Sequence, residues 1–172
     1  MNKYLNLDEF KIVISAETPS GKIIEIDPIN QTKIDKENIK EDLEFLPSQY
    51  LFIAIVYLHN KEKRDTLELE LDRIKTDSSK LVREKWDEIE QGKCTEKKVE
   101  EIVGSDQEIR NKELQLIKLT TVTNQLYYLC KAIDKKFYSM KSMSYFTSQT
   151  EVENTDGVEI DIHKFEKLRK QI

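Results

Sequence analysis

Glycine and proline are scarce in this chain, at 4 and 3 among 172 residues, which argues against a turn-rich sheet architecture. All-β folds can be set aside. Cysteine is sparser still: Cys94 and Cys130 are far apart, and Cys130 falls on an apolar helical stripe, so a reduced, cytosolic protein is expected, in a host cell if the source is viral. The two histidines, His59 and His163, have no second His or Cys at ligand spacing, so neither a metal site nor a cofactor is expected. The longest apolar run, Leu51 to Leu58, is too short to span a bilayer, and no basic-then-apolar signal opens the chain. Also missing are a Gly-rich phosphate loop, a G-x-S-x-G elbow and an H-E-x-x-H pair. An enzyme is therefore not expected.

What is present is charge. Charged residues make up 35% against 38% hydrophobic, the composition of long solvated helices. The net charge of -5 and a pI of about 5.3 give no global attraction for nucleic acid or anionic membrane, so any such binding must use a local patch. Carboxylates such as Glu68, Glu70 and Asp72 lie among Lys and Arg at helical spacing and read as a solvated face.

The strongest periodicity runs from Ser105 to Ser144, almost forty residues without Pro or Gly. Ile109, Leu116, Thr123, Cys130 and Phe137 take one heptad position, and Leu119, Leu126, Ile133 and Met140 the other. Ser105 and Glu108 are spaced as a capping box. A partner helix is expected from Ser48 to about Gln91, with Pro47 in its first turn and Tyr50, Ile53, Tyr57, Leu67, Leu71, Ile74 and Leu81 in one register. After Leu81 the stripe passes to Val82, Trp86 and Ile89, a stutter. Gly92 ends this helix, a short one covers Thr95 to Val103, and the compact connector makes the two long helices antiparallel.

Upstream, Phe10 to Ser15 and Lys22 to Ile26 flank a Thr18-Pro19-Ser20-Gly21 turn and predict a β-hairpin. A short helix is expected from about Asp35 to Phe45. Beyond Ser144, residues 145–157 read as polar and turn-rich, Val158, Ile160 and Ile162 as a strand, and Ile162 to Ile172 as a basic end helix. The expected fold is mainly α: a long, coiled-coil-like antiparallel helical hairpin over residues 35–144, an N-terminal β-hairpin appendage over 1–34 and a tail over 145–172. It is expected to be oligomeric. Leu51 to Leu58 is apolar all round, and Leu114, Ile117, Val122, Tyr127 and Leu129 lie off the seam, so Leu51, Ile55, Ile117, Val122 and Leu129 are the candidate interface residues.

From Arg110 to Lys141 basic residues far outnumber Glu113 and Asp134, and Lys131, Lys135, Lys136 and Lys141 alternate with aromatics including Tyr138. Lysines beside aromatic rings suit single-stranded nucleic acid, whose phosphates they neutralise while bases stack on the rings. The same pattern also fits Phe137 in a core with lysines solvating the helix. A second cluster, Lys80, Arg83 and Lys85, lies beside Trp86, which is expected to pack against the neighbouring helix.

The order of these features resembles the small recombination mediator proteins of bacterial viruses, the UvsY type. The resemblance rests on Pro47-Ser48-Gln49-Tyr50-Leu51 opening a long helix, Arg83-Glu84-Lys85-Trp86-Asp87 followed by Gly92, and Ser105-Asp106 opening a second long helix. It covers roughly residues 36–144. It implies a ring-like homo-oligomer that binds single-stranded DNA, with Arg83 and Lys85 at the family's DNA-contacting positions. It further implies a recombinase and a single-strand binding protein as partners, in DNA recombination and repair. The alternative is a non-enzymatic coiled-coil structural, scaffold or adaptor protein of a bacterial virus, whose acidic surface meets a basic partner.

Overall fold

The computed structural model describes residues 12–89 and 92–155, with residues 146–155 described through their backbone alone. The fold is mainly α. In chain order it comprises β1 (Ile14–Glu17), β2 (Ile23–Ile26), α1 (Pro28–Thr32), α2 (Ile39–Glu84), α3 (Trp86–Ile89), α4 (Glu96–Ser105) and α5 (Gln107–Thr155). The strand expected over Val158 to Ile162 and the helix expected over Ile162 to Ile172 lie outside the described residues.

β1 and β2 pair antiparallel, with Ile14 opposite Ile26 and Ala16 opposite Ile24. Their turn closes because the Thr18 N–H donates to the Lys22 carbonyl at 2.9 Å, and Gly21 takes the left-handed φ of +81° that the reversal requires. Side chains alternate across a strand, so Ile14, Ala16 and Ile26 turn inward together and become buried. Asp27 then starts α1, its Oδ1 accepting the Ile29 and Asn30 N–H groups at 2.9 and 3.1 Å, with Pro28 at the first position.

α2 is one helix where two were expected. Pro47 lies inside it, rather than opening a second helix after one over Asp35 to Phe45. An internal proline costs about 3 kcal/mol. Leu46 is buried, and the half-buried Ile39 and Leu43 pack against the same core; at about 1.5–3 kcal/mol for a fully buried apolar side chain and less for the other two, their burial offsets that cost. The start falls at Ile39 because Asp35 folds back on the preceding turn, accepting from the Glu37 N–H and the Asn38 side chain, each at 3.0 Å. At its far end Trp86 is buried and its Nε1 donates to the Gly92 carbonyl at 2.8 Å.

The start of α5 also differs from the expected capping box. Ser105 is the last residue of α4 and its hydroxyl donates backward to the Ile102 carbonyl at 2.7 Å. Asp106 is the cap instead, its Oδ1 accepting from the Glu108 N–H at 2.7 Å and the Ile109 N–H at 3.3 Å. The helix then runs past Ser144 to Thr155, through residues expected to be irregular. No Pro or Gly occurs between Gly104 and Gly157, so nothing in the backbone chemistry stops it.

α2 and α5 pack antiparallel in a steady register, marked by Asp42 beside Lys136, Tyr57 beside Tyr127, Glu70 beside Lys112 and Lys75 beside Glu113. On α5 the expected seam is the buried one: Ile109, Thr123, Leu126, Cys130, Ile133 and Met140 are buried, and Leu116, Leu119 and Phe137 are half-buried. On α2, Leu81 is exposed while Val82 and Trp86 are buried, so the stripe has already moved over at that point.

Burial falls into two clusters. The base cluster joins Ile14, Ala16, Ile26, Leu46, Ile53, Val56, Leu126, Leu129, Cys130, Ile133 and Met140. The tip cluster joins Leu71, Val82, Trp86, Val99, Val103 and Ile109. Between them Asn60 is buried as a polar anchor. Its Nδ2 donates to the Glu17 and Val56 carbonyls at 2.7 and 2.8 Å, and its Oδ1 accepts from the Glu17 N–H at 3.4 Å. That one side chain ties the β-hairpin to α2.

Candidate nucleic-acid interface

The lysines and arginine singled out in the sequence do not form one site. Lys80, Arg83 and Lys85 sit at the tip, and the other candidates sit at the base. The Tyr57–Tyr127 contact marks the base on α2, and Arg83 lies 26 residues further on, roughly 40 Å along the helix.

At the tip, Arg83 is engaged: its guanidinium contacts Glu96 on α4 at 2.5 Å, and that carboxylate raises the Arg83 pKa above its ordinary value. Lys80 stands 3.8 Å from Asp77, and Lys85 is exposed in the turn between α2 and α3. Trp86 is core, as expected, with the Lys98 ammonium 5.7 Å from its ring. A strand at this end would compete with Glu96 for Arg83.

At the base, Lys131, Lys135, Lys141 and Tyr138 are exposed, and the Tyr138 ring meets Phe137 edge-on at 5.6 Å. Lys136 departs from expectation. Its side chain is 7% exposed and its Nζ lies 3.7 Å from Asp42, so it ties α5 to the first turn of α2 and cannot reach a phosphate. The reason is periodicity: Lys136 follows Leu129 and Ala132 along the face of α5 that turns inward, while Lys131, Lys135 and Tyr138 turn out.

What stands opposite Lys131 is set by the pairing of two helices and is not visible in the sequence. Tyr50, Ala54, Tyr57 and Leu58 of α2 and Tyr127, Cys130, Lys131 and Asp134 of α5 line a groove of about 380 Å³. A smaller hollow of about 200 Å³, lined by Leu46, Pro47, Tyr50, Ile133, Asp134 and Phe137, continues it past Tyr50 and Asp134. Along the groove wall the Tyr57 and Tyr127 rings lie 6.0 Å apart and the Lys131 ammonium sits 4.5 Å above Tyr127, which on its other side meets Tyr128 edge-on at 5.5 Å, outside the groove and beside the hollow at Ile12 and Pro28. The Tyr127 hydroxyl also holds the Lys131 pKa above its ordinary value, so Lys131 is cationic throughout the neutral range. Tyr50 and Tyr57 fit the heptad register, which assigned them to the seam. Their spacing with Ala54 places them on its edge, where a ring is half-covered.

The candidate interface residues divide similarly. Leu51, Ile55 and Ile117 are exposed. Val122 instead packs against the base cluster and Leu129 is buried in it, alongside a hollow lined by Ile12, Ile14, Pro28 and Ile29. The second partner that the off-seam residues of α5 require is, for Leu129, the chain's own β-hairpin and α1, and Val122 is covered by the base cluster of the same chain.

A further groove of about 690 Å³ lies at the middle of the hairpin, where Leu67 and Leu119 are flanked by His59, Glu62, Lys63, Glu70 and Lys118. Its charges are mixed and select no ligand of one sign. Among the described residues no three of His, Cys, Asp or Glu come together as a metal site, and no helix is long and apolar enough to cross a membrane. Comparison with known protein families, with characterised proteins and with solved structures gives no match.

Proposed function

We propose that this chain is a non-enzymatic accessory protein of DNA recombination that self-associates and holds single-stranded DNA along the base of its helical hairpin, helping to load a recombinase. The observation that carries the reading is the Tyr57, Tyr127 and Tyr128 ring series with Lys131 over Tyr127. Flat, half-exposed rings accept bases of any sequence, and Lys131, Lys135 and Lys141 supply the cations for the backbone. In this reading the strand runs along the groove and α5, not across the Arg83 end.

Fluorescence anisotropy with a labelled single strand, titrated across salt, tests it. Three phosphate contacts per chain predict a log-log salt slope near -2. Tyr127→Ala is expected to weaken binding by about 1–3 kcal/mol, roughly 5- to 160-fold. Lys131→Glu weakens it further, whereas Lys85→Glu leaves it unchanged. No binding at low salt rules the reading out.

A scaffold or adaptor is the second reading. The acidic balance and the engagement of Arg83 by Glu96 favour it. Its signature is assembly that survives Lys131→Glu without any strand binding.

A further inference from the structure

Leu51 to Leu58 was conspicuous in the sequence for having no polar face, and α5 accounts for only one side of it. Ile53 and Val56 are buried against α5, while Phe45, Leu51, Phe52, Ile55 and Leu58 remain between 44% and 66% exposed. At helical spacing these five lie on a single stripe of α2, with Phe45, Leu51, Phe52 and Ile55 turned away from α5 and Leu58 at its edge, where the tyrosine groove begins. The stripe is roughly 20 Å long. Its exposed apolar area is on the order of 500 Å², toward the upper end of the largest patches on monomeric proteins.

The spacing of the stripe is its most informative property. Positions 45, 48, 51, 52, 55 and 58 read the same in both directions about a centre between Leu51 and Phe52. A second α2 laid antiparallel on this face sets Phe45 against Leu58, Leu51 against Phe52, and the small Ser48 against Ile55. The exposed Ser48 leaves a gap where the partner helix presents a branched side chain. Lys40 and Glu62 fall near opposite ends, so Lys40 of each copy approaches Glu62 of the other. Two such faces bury about 1,000 Å² in all, the size at which a specific interface begins.

We propose that this stripe is a two-fold interface, occupied by the same face of a second copy of the chain with the two α2 helices antiparallel. Two-fold interfaces bring one patch against itself, which a palindromic stripe satisfies and a head-to-tail contact does not use. The proposal rests on the reading that the chain self-associates, and gives it a face and a symmetry. The tyrosine groove lies around the helix from this stripe and meets it only at Leu58.

The test combines light-scattering mass over a range of concentrations with cysteine cross-linking of the full chain. The expected mass is twice 20.3 kDa. Ile55→Asp is expected to raise the dissociation midpoint at least about 100-fold, with helical circular dichroism unchanged. In a Cys94→Ser background, Phe52→Cys should give a dimer on mild oxidation. Phe45→Cys should not, because in an antiparallel pair its two copies sit at opposite ends of the stripe. A chain that self-associates but is indifferent to Ile55→Asp, or that cross-links as readily through Phe45→Cys, overturns the proposal and leaves self-association standing. A monomer at every concentration overturns both.

Discussion

At the base of the hairpin α2 and α5 gain a third layer, with Ile14, Ala16 and Ile26 of the β-hairpin closing over them, whereas at the tip the same two helices pack on α4 and Trp86. At the tip the one aromatic is buried, Arg83 pairs with Glu96 and Lys75 with Glu113, and the apolar side chains left exposed, Leu69, Leu81, Ile89 and Leu114, are aliphatic. The base carries more apolar and aromatic surface than its core uses. Every exposed aromatic among the described residues lies there: Phe45, Tyr50, Phe52, Tyr127, Tyr128, Tyr138 and Tyr145. Surplus rings that folding does not bury point to the end of the molecule that meets partners.

Emptying each cluster in turn is expected to separate the two ends most strongly. Trp86→Ala removes the largest side chain of the tip and its bond to the Gly92 carbonyl, and is expected to cost about 3–5 kcal/mol. Ile133→Ala at the base is expected to cost about 2–5 kcal/mol. Amide hydrogen exchange then asks whether the clusters open separately. With Asn60 and Thr123 as buried polar groups between them, Trp86→Ala should deprotect α3, α4 and the adjoining turns of α2 and α5 while the β-hairpin stays protected. Equal loss at both ends shows a single cooperative unit instead.

Much of this architecture was legible in the sequence, for a physical reason. A seam of apolar residues sustained from Ile109 to Met140 has one low-energy solution, burial against another helix, and the turn residues Thr18 to Gly21 dictate the β-hairpin. Local signals failed where tertiary burial outweighed them, as at Pro47, which Leu46 and its neighbours carry inside α2. The site was legible as composition but not as geometry. Lysines near aromatics are visible in a string, but whether Lys136 points in or out is decided by a few tens of degrees around the helix. That Tyr57 meets Tyr127 depends on the register between two helices, which no single stripe contains.

The join between the ends offers a smaller perturbation. Asn60→Ala leaves the Glu17 N–H and carbonyl without their side-chain partner, and is expected to cost about 1–3 kcal/mol. Its signature is early loss of protection in β1 and β2 with the tip unaffected. Lys136→Ala removes both the packed stem and the cation beside the half-buried Asp42 and should cost about 1–2 kcal/mol, of which Lys136→Met should recover the packing share alone.

The smallest expected effect concerns pH and the hairpin's outer tie. Lys63 donates to Glu17 at 2.6 Å and, with His59 nearby, holds that carboxyl below its ordinary value of 4.5. A carboxyl whose folded pKa is depressed adds stability above its unfolded pKa and loses it as pH falls through the folded value. The tie should therefore be complete at neutral pH and fade only below about 4.5, in a window that Glu17→Gln abolishes. Because the pair is solvent-exposed, the change belongs in a carboxyl chemical-shift titration and in local exchange of β1, not in the melting temperature. A Glu17 midpoint at or above 4.5 would show that the Lys63 tie contributes nothing, leaving the hairpin held by Asn60 and by the burial of Ile14, Ala16 and Ile26.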